Sequence, residues 1–232
     1  MKTAGLILAA GMSSRMGAYK PLVKIQGKEM ICWSIDTMCA AGITEICVVT
    51  GYESERLRSY LARWYGAFEI QCGFPKDPLW KQKVWGKIPE GKPRILLVEN
   101  PRYQNKNMLD SIKCGINGLQ ILQTDAFFLT LADLPGIKKE TYHQLLESLC
   151  RERYKGKRIA IANICGVRRH PQLILADQME RILQYENTGE GGLRGFWKQA
   201  ETEILDVQVT DPGCMLDIDT RQDLLTFEKS TF

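Results

Sequence analysis

Thr3 to Ala10, TAGLILAA, is apolar at every position after its first. A run of that length without alternation reads as a strand buried on both faces, which requires helices above and below the sheet. The chain then repeats the demand. A helix is expected from Glu29 to Ala41, with Ile31, Ile35, Met38 and Cys39 at helical spacing and Gly42 as its stop signal. TEICVVT (Thr44 to Thr50) reads as the next strand, ESERLRSYLARW as a helix with Leu57, Tyr60, Leu61 and Trp64 on one side, and RILLVEN (Arg94 to Asn100) as a third strand. NMLDSIKCGINGL follows as a helix capped by Asn107, and DAFFLTLAD (Asp125 to Asp133) as a fourth strand. Such alternation specifies an α/β fold with a doubly wound, mostly parallel sheet flanked by helices, whose ligands belong at the carboxyl ends of the strands.

Composition excludes several alternatives. With 232 residues, 44% of them hydrophobic and 25% charged, the chain suits one large core and is read as one domain over 1–232. The longest apolar run, Gly5 to Gly11, is far short of a membrane span, and Arg15 and Lys20 follow it at once, so no membrane partner is expected. Eight cysteines without a CxxC pair, mostly inside apolar patterns, read as small buried hydrophobes in a reducing, cytoplasmic compartment. A dispersed net charge of +4 favours anionic ligands and gives no nucleic-acid footprint. Gly73 to Pro93, with four prolines, two tryptophans (Trp80 and Trp85) and several lysines, breaks the rhythm as an insertion, either a surface flap or a lid.

Behind the first strand come Ala9, Ala10, Gly11, Met12, Ser13, Ser14, Arg15, Met16, Gly17, Ala18, Tyr19 and Lys20. Small residues let main-chain amides approach an anion, and a guanidinium with an ammonium suits a polyphosphate better than a carboxylate. The loop is neither a Walker A motif, since Lys20 lies between Tyr19 and Pro21, nor a G-x-G-x-x-G fingerprint. Asp133, at the end of its strand and before Leu134-Pro135, is well sited to hold Mg²⁺ beside phosphates.

LAAGMSSRMGAYK resembles the L-A-A-G-x-S-x-R-M-G-x-x-K signature of nucleotidyltransferases. RRHPQLI (Arg168 to Ile174), NTGEGGLRGF (Asn187 to Phe196) and DPGCMLDIDTRQDL (Asp211 to Leu224) resemble segments of the molybdenum-cofactor cytidylyltransferases, within the MobA-like family. The resemblance implies a Rossmann-like, nucleotide-diphospho-sugar-transferase-like fold and a Mg²⁺-dependent transfer of CMP from CTP to a molybdopterin phosphate. It implies a nucleotide site of Leu8, Ala9, Ala10, Gly11, Ser13, Ser14, Arg15, Lys20 and Ser111, with Arg15 on the β and γ phosphates and Lys20 on the α-phosphate. Arg15, Lys20 and Asp133 would be catalytic, and His170 and Pro171 would meet the acceptor. On an expected short strand, Asp217 and Asp219 point the same way and either could join Asp133 at the metal. The resemblance favours Asp217 and leaves Asp219-Thr220 to cap the last helix. His143 is expected on a helix surface.

Ala10 beside Gly11 narrows the base-binding loop, which favours CTP over GTP. The chain departs from the family pattern where Leu109 and Asp110 replace two serines and where ADLP replaces G-D-Q-P. Those departures keep two other readings open: transfer to a different small phosphorylated acceptor, and a non-catalytic carrier that delivers the pterin cofactor to a client molybdoenzyme.

Overall fold

The computed structural model describes residues 1–13, 15–66, 91–105, 107–186 and 192–229, and the backbone of 68–71 and 81–83. Its strands and helices follow in the order β1 (Thr3–Leu8), β2 (Lys24–Ile25), β3 (Lys28–Glu29), α1 (Met30–Ala40), β4 (Glu45–Thr50), α2 (Ser54–Tyr65), β5 (Phe68–Gln71), β6 (Lys81–Lys83) and β7 (Arg94–Glu99). The second half carries α3 (Met108–Leu122), β8 (Ala126–Leu131), α4 (Lys139–Glu152), β9 (Ile159–Ile164), β10 (Val167–Leu175), α5 (Met179–Gln184), α6 (Arg194–Gln199), β11 (Ile204–Gln208) and α7 (Arg221–Lys229).

β1 runs through the middle of a nine-stranded sheet of order β11-β9-β10-β8-β1-β4-β7-β5-β6. It pairs in parallel with β4 on one edge and β8 on the other, and only β10 and β6 run antiparallel to their neighbours. The doubly wound, mostly parallel expectation therefore holds. Side chains of β1 alternate between two cores: Ile7 joins α1, α2 and α4, whereas Ala4, Leu6 and Leu8 join α3, α5 and α6. α3 packs tightly on the sheet where Gly115 and Gly118 present bare backbone to it; a Cβ on Gly115 would strike Leu6 and Val49.

The third cluster has most bearing on function. Met16 of the first loop packs with Ile25, Met30, Ile218 and Phe227, which fastens the C-terminal segment over the end of β1. Buried Asp211 anchors that segment by accepting from Lys138 N and Thr141 Oγ1 at 2.7 Å each and from Gly213 N at 3.0 Å. Gly213 lies against the Gly136 backbone with no room for a Cβ.

Two expectations need correction or lie out of view. LDIDT (Leu216 to Thr220), expected to carry a short strand, pairs with no strand among the described residues; it follows the 3₁₀ turn Pro212–Met215, and Ile218 N makes a 3.0 Å bond to Asp133 O. Of the Gly73 to Pro93 insertion, Lys81–Lys83 adds the edge strand β6, while Trp80 and Trp85, and with them the flap-or-lid question, lie outside the described residues. Four of the seven described cysteines are buried, and His143 is exposed on α4. Among the described residues no helix is long and apolar enough to cross a membrane.

Gly115→Ala is expected to destabilise the protein by about 1–3 kcal/mol, the cost of overpacking a close helix–sheet contact. Urea unfolding of the variant beside the wild type measures it.

Candidate active site

Two parallel strands that part company create the site. Leu8 and Leu131 are partners at the last rung of β1 and β8, Ala132 N bonds Leu8 O at 3.1 Å, and Ala9 N turns the other way to Val49 O at 2.9 Å. From β1 the chain proceeds to β4, and β8 lies on the opposite side, so the crevice opens at the point where strand order reverses. Gly51 allows this crowding, since a Cβ there would meet Tyr103 and Ala10.

Beyond Ala10 the chain coils back on itself. Ser13 adopts a left-handed backbone, φ 53°, its carbonyl accepts from Met16 N at 3.1 Å, and its hydroxyl accepts from Lys20 N at 3.0 Å. The loop thereby delivers Lys20 into the crevice. Lys20 Nζ lies 2.7 Å from Asp133 Oδ2 and 2.6 Å from Asp219 Oδ1, and an Arg15 guanidinium nitrogen lies 2.7 Å from Asp219 Oδ2. Burial alone would lower the Lys20 pKa, but the charges and hydrogen bonds of Asp133 and Asp219 outweigh it and hold the ammonium above its ordinary value. Arg15 remains largely open to solvent, its side chain 73% exposed.

These groups line a cavity of about 560 Å³ together with Leu8, Ala9, Ala10, Gly11, Ser13 and Ser111. Ser14 lies outside the described residues. Ser111 is oriented by a residue that sequence reasoning missed. Fully buried Asn100 accepts from Arg102 N at 2.9 Å, so its amide nitrogen faces Ser111 and donates to Oγ at 2.9 Å. The Ser111 hydroxyl proton is thereby left to point elsewhere. The departures on α3 do no harm here: Leu109 enters the core, and Asp110 accepts from Asn107 Nδ2 at 3.3 Å, facing the cap.

A second cavity of about 1020 Å³ shares Asn107, Met108 and Leu131 with the first and extends under β10 and α6. Arg168, Arg169, Arg194 and Lys198 place four cations on its wall, against the two carboxylates of Glu201 and Asp217, and His170 lies beside them. Arg168 is compensated by Asp206 at 2.8 Å and Glu201 at 2.6 Å, whereas Arg169 Nε is buried with no hydrogen-bond partner among the described residues. His170 Nδ1 lies 3.1 Å from Leu129 O; a carbonyl only accepts, so Nδ1 carries the proton, and burial pushes the imidazole below its usual pKa. Pro171 is buried in β10 and lines neither cavity.

The carboxylates are arranged differently from the expectation. Asp219 shares the first cavity with Asp133, while Asp217 lines the second. Ile218, buried between them, sends its neighbours to opposite sides. Asp219 does not cap α7 with its side chain: Thr220 and Asp223 do so reciprocally, Asp223 N donating to Thr220 Oγ1 at 3.2 Å and Thr220 N to Asp223 Oδ2 at 2.7 Å. Burial, and then the charges of Asp133 and Asp219, raise the Asp217 carboxyl above its ordinary value. No group of three or more metal-ligating side chains exists among the described residues. Two carboxylates with phosphate oxygens nevertheless suit Mg²⁺, and Asp133 Oδ1 is a buried oxygen with no hydrogen-bond partner among the described residues.

Known proteins share both sequence and fold with the chain. The family model described as MobA-like NTP transferase domain matches residues 5–204. A 2-aminoethylphosphonate cytidylyltransferase from Lancefieldella rimae is 30% identical over 138 residues, which is 57% of this chain and 44% of that protein. The chain thus spans less than half the length of that relative. The crystal structure of Rv0371C complexed with manganese, from Mycobacterium tuberculosis H37Rv, superposes with a TM-score of 0.60 at 16% identity over all of both chains. That of CMP:2-keto-3-deoxy-manno-octonic acid synthetase complexed with CTP gives 0.63 at 14% identity, over 98% of this chain and 97% of that one.

His170 generates a pH dependence. Its folded pKa lies below the unfolded value of about 6.5, so the unfolded chain takes up the proton first and stability falls as pH drops below that value. Urea unfolding between pH 7.5 and 5 is expected to show a slope of up to ~1.4 kcal/mol per pH unit that disappears in His170→Gln.

Proposed function

Because the chain belongs to the MobA-like NTP transferase domain family, we propose that it is a Mg²⁺-dependent cytidylyltransferase that moves CMP from CTP to the phosphate of a molybdopterin-type acceptor. The observation that carries this reading is the shared wall of Asn107, Met108 and Leu131 between a cavity with the polyphosphate loop and a larger, basic one. A nucleoside triphosphate in the first places its α-phosphorus near that wall, within reach of an acceptor phosphate seated in the second.

The acceptor phosphate oxygen is itself the nucleophile, so the protein supplies alignment and charge and no general base. A new P–O bond forms to the α-phosphorus as the bond to the bridging oxygen breaks and pyrophosphate departs. Lys20 stabilises charge growing on the α-phosphate, and Arg15 holds the β and γ phosphates. Ser111, oriented by Asn100, donates toward the nucleoside, and Ala10 limits the room for its base. Arg169 receives the anionic end of the acceptor, and neutral His170 offers Nε2 as an acceptor of hydrogen bonds. Asp133 and Asp219 would hold Mg²⁺, which when bound neutralises phosphate charge. Asp217, favoured by sequence resemblance for that task, lines the second cavity and lies close enough to Asp133 and Asp219 to feel their charges. The convergence of Arg15, Lys20 and Asp133 in one cavity speaks against a non-catalytic carrier.

A second reading keeps the chemistry and replaces the acceptor with a small phosphonate. Its support is the 30% identity to a 2-aminoethylphosphonate cytidylyltransferase. Pyrophosphate release from each of the four nucleoside triphosphates, with molybdopterin or 2-aminoethylphosphonate, separates the two. CTP with molybdopterin is the expected pair, CTP being preferred over GTP by ~1–3 kcal/mol, and a preference for GTP removes the cytidylyl assignment.

Lys20→Ala is expected to lower kcat by about 2.7–4 kcal/mol in barrier terms while changing KM for CTP less. A rise in KM alone would make Lys20 a ground-state binder. Asp133→Ala is expected to abolish pyrophosphate release at saturating Mg²⁺ with the circular dichroism spectrum unchanged.

A further inference from the structure

The cations assigned to the triphosphate are engaged with the carboxylates assigned to the metal. Lys20 Nζ stands between Asp133 and Asp219 at 2.7 and 2.6 Å, and Arg15 closes on the second oxygen of Asp219 at 2.7 Å. The Lys20 side chain is 14% exposed and that of Asp133 23%, so the contact is shielded from water. One ammonium bridging two carboxylates holds, with half the charge, the position that a divalent ion bound to both would need.

We propose that Lys20 is the resident counter-ion of the metal site, and that metal and triphosphate load by exchange. The metal takes over Asp133 and Asp219 as Lys20 and Arg15 pass to the phosphates. The inference rests on the assignment of Asp133 and Asp219 to the metal given above.

Metal arriving alone must drive the Lys20 ammonium off both carboxylates. Triphosphate arriving alone must strip the carboxylates of their cations, with Asp217 close enough to feel both charges. Each ligand is therefore handicapped alone and helped by the other, a reciprocal coupling between two adjoining sites. The exchange needs only side-chain motion. The Lys20 backbone is pinned, its N–H to Ser13 Oγ at 3.0 Å and its carbonyl to Val23 N at 3.1 Å, while its four-carbon stem is free to swing.

A purely structural role, tying the C-terminal segment to the loop, is already filled by other contacts. Ile218 N bonds Asp133 O at 3.0 Å, and Met16, Ile218 and Phe227 pack together. Breaking the Lys20 contacts leaves that attachment intact.

The test is a titration with Mn²⁺ and no nucleotide, free ion being followed by electron paramagnetic resonance. Lys20→Met is expected to bind Mn²⁺ at least about tenfold more tightly than the wild type, because a positive charge has left the site, and Lys20→Arg is expected to bind as weakly as the wild type. A folded Lys20→Met that binds Mn²⁺ no more tightly than the wild type overturns the proposal. Should Lys20→Met fail to fold, the wild type still decides. In a ¹H–¹⁵N spectrum of its lysine ammonium groups, a slowly exchanging Lys20 signal in the metal-free protein must shift or vanish on saturation with Mg²⁺, and an unmoved signal overturns the exchange. Neither measurement uses CTP or an acceptor, so failure of the cytidylyl reading, seen as absent turnover, leaves both results standing.

Discussion

β1 must be paired on both edges and covered on both faces, and the rest of the molecule follows from that requirement. Its flanking strands β4 and β8 run parallel to it and are reached by crossovers on opposite sides, which opens a crevice at one end of the sheet. The carboxyl ends of β1 and β8 meet there, and a loop of small residues departs from one while a carboxylate ends the other. The site is thus a consequence of where the backbone has to part.

The C-terminal segment completes that crevice. Asp211 staples it to the start of α4, the contact of Gly213 with Gly136 brings it close, and Ile218 bonds to the backbone of Asp133. That last bond puts Asp217 and Asp219 on either side of Asp133, one toward each cavity. Two residues adjacent in sequence to one buried isoleucine therefore belong to different parts of the site.

Charge in the second cavity is similarly sorted by neighbours and not by residue type. Arg168 and Arg169 are consecutive, yet the first is held by Asp206 and Glu201 while the second has a buried Nε without a hydrogen-bond partner among the described residues. Hydrogen bonds from Arg168 hold the carboxyls of both Asp206 and Glu201 below their usual range, which marks that cluster as a closed set of mutual contacts. Arg169 and neutral His170 stand outside that cluster on the cavity wall.

The sequence by itself determined the parallel half of the sheet, because unbroken apolar runs such as TAGLILAA are tolerated only where both faces are covered. It also located the loop of small residues with Arg15 and Lys20 behind β1, since Gly, Ser, Arg and Lys at that spacing have a direct electrostatic meaning, and it located Asp133 by its place at a strand end. Tertiary structure alone decided the partners of those residues. Period-two reasoning put Asp217 and Asp219 on one face, but it applies only to paired strands, and residues 216–219 are held by one backbone bond. Asn100 was invisible as a site residue in sequence, where it reads only as the last residue of an expected strand until Arg102 N fixes its amide. The engagement of Lys20 with two carboxylates 113 and 199 residues away was beyond reach for the same reason: contacts at that separation are set by how the core packs, and no local pattern encodes them.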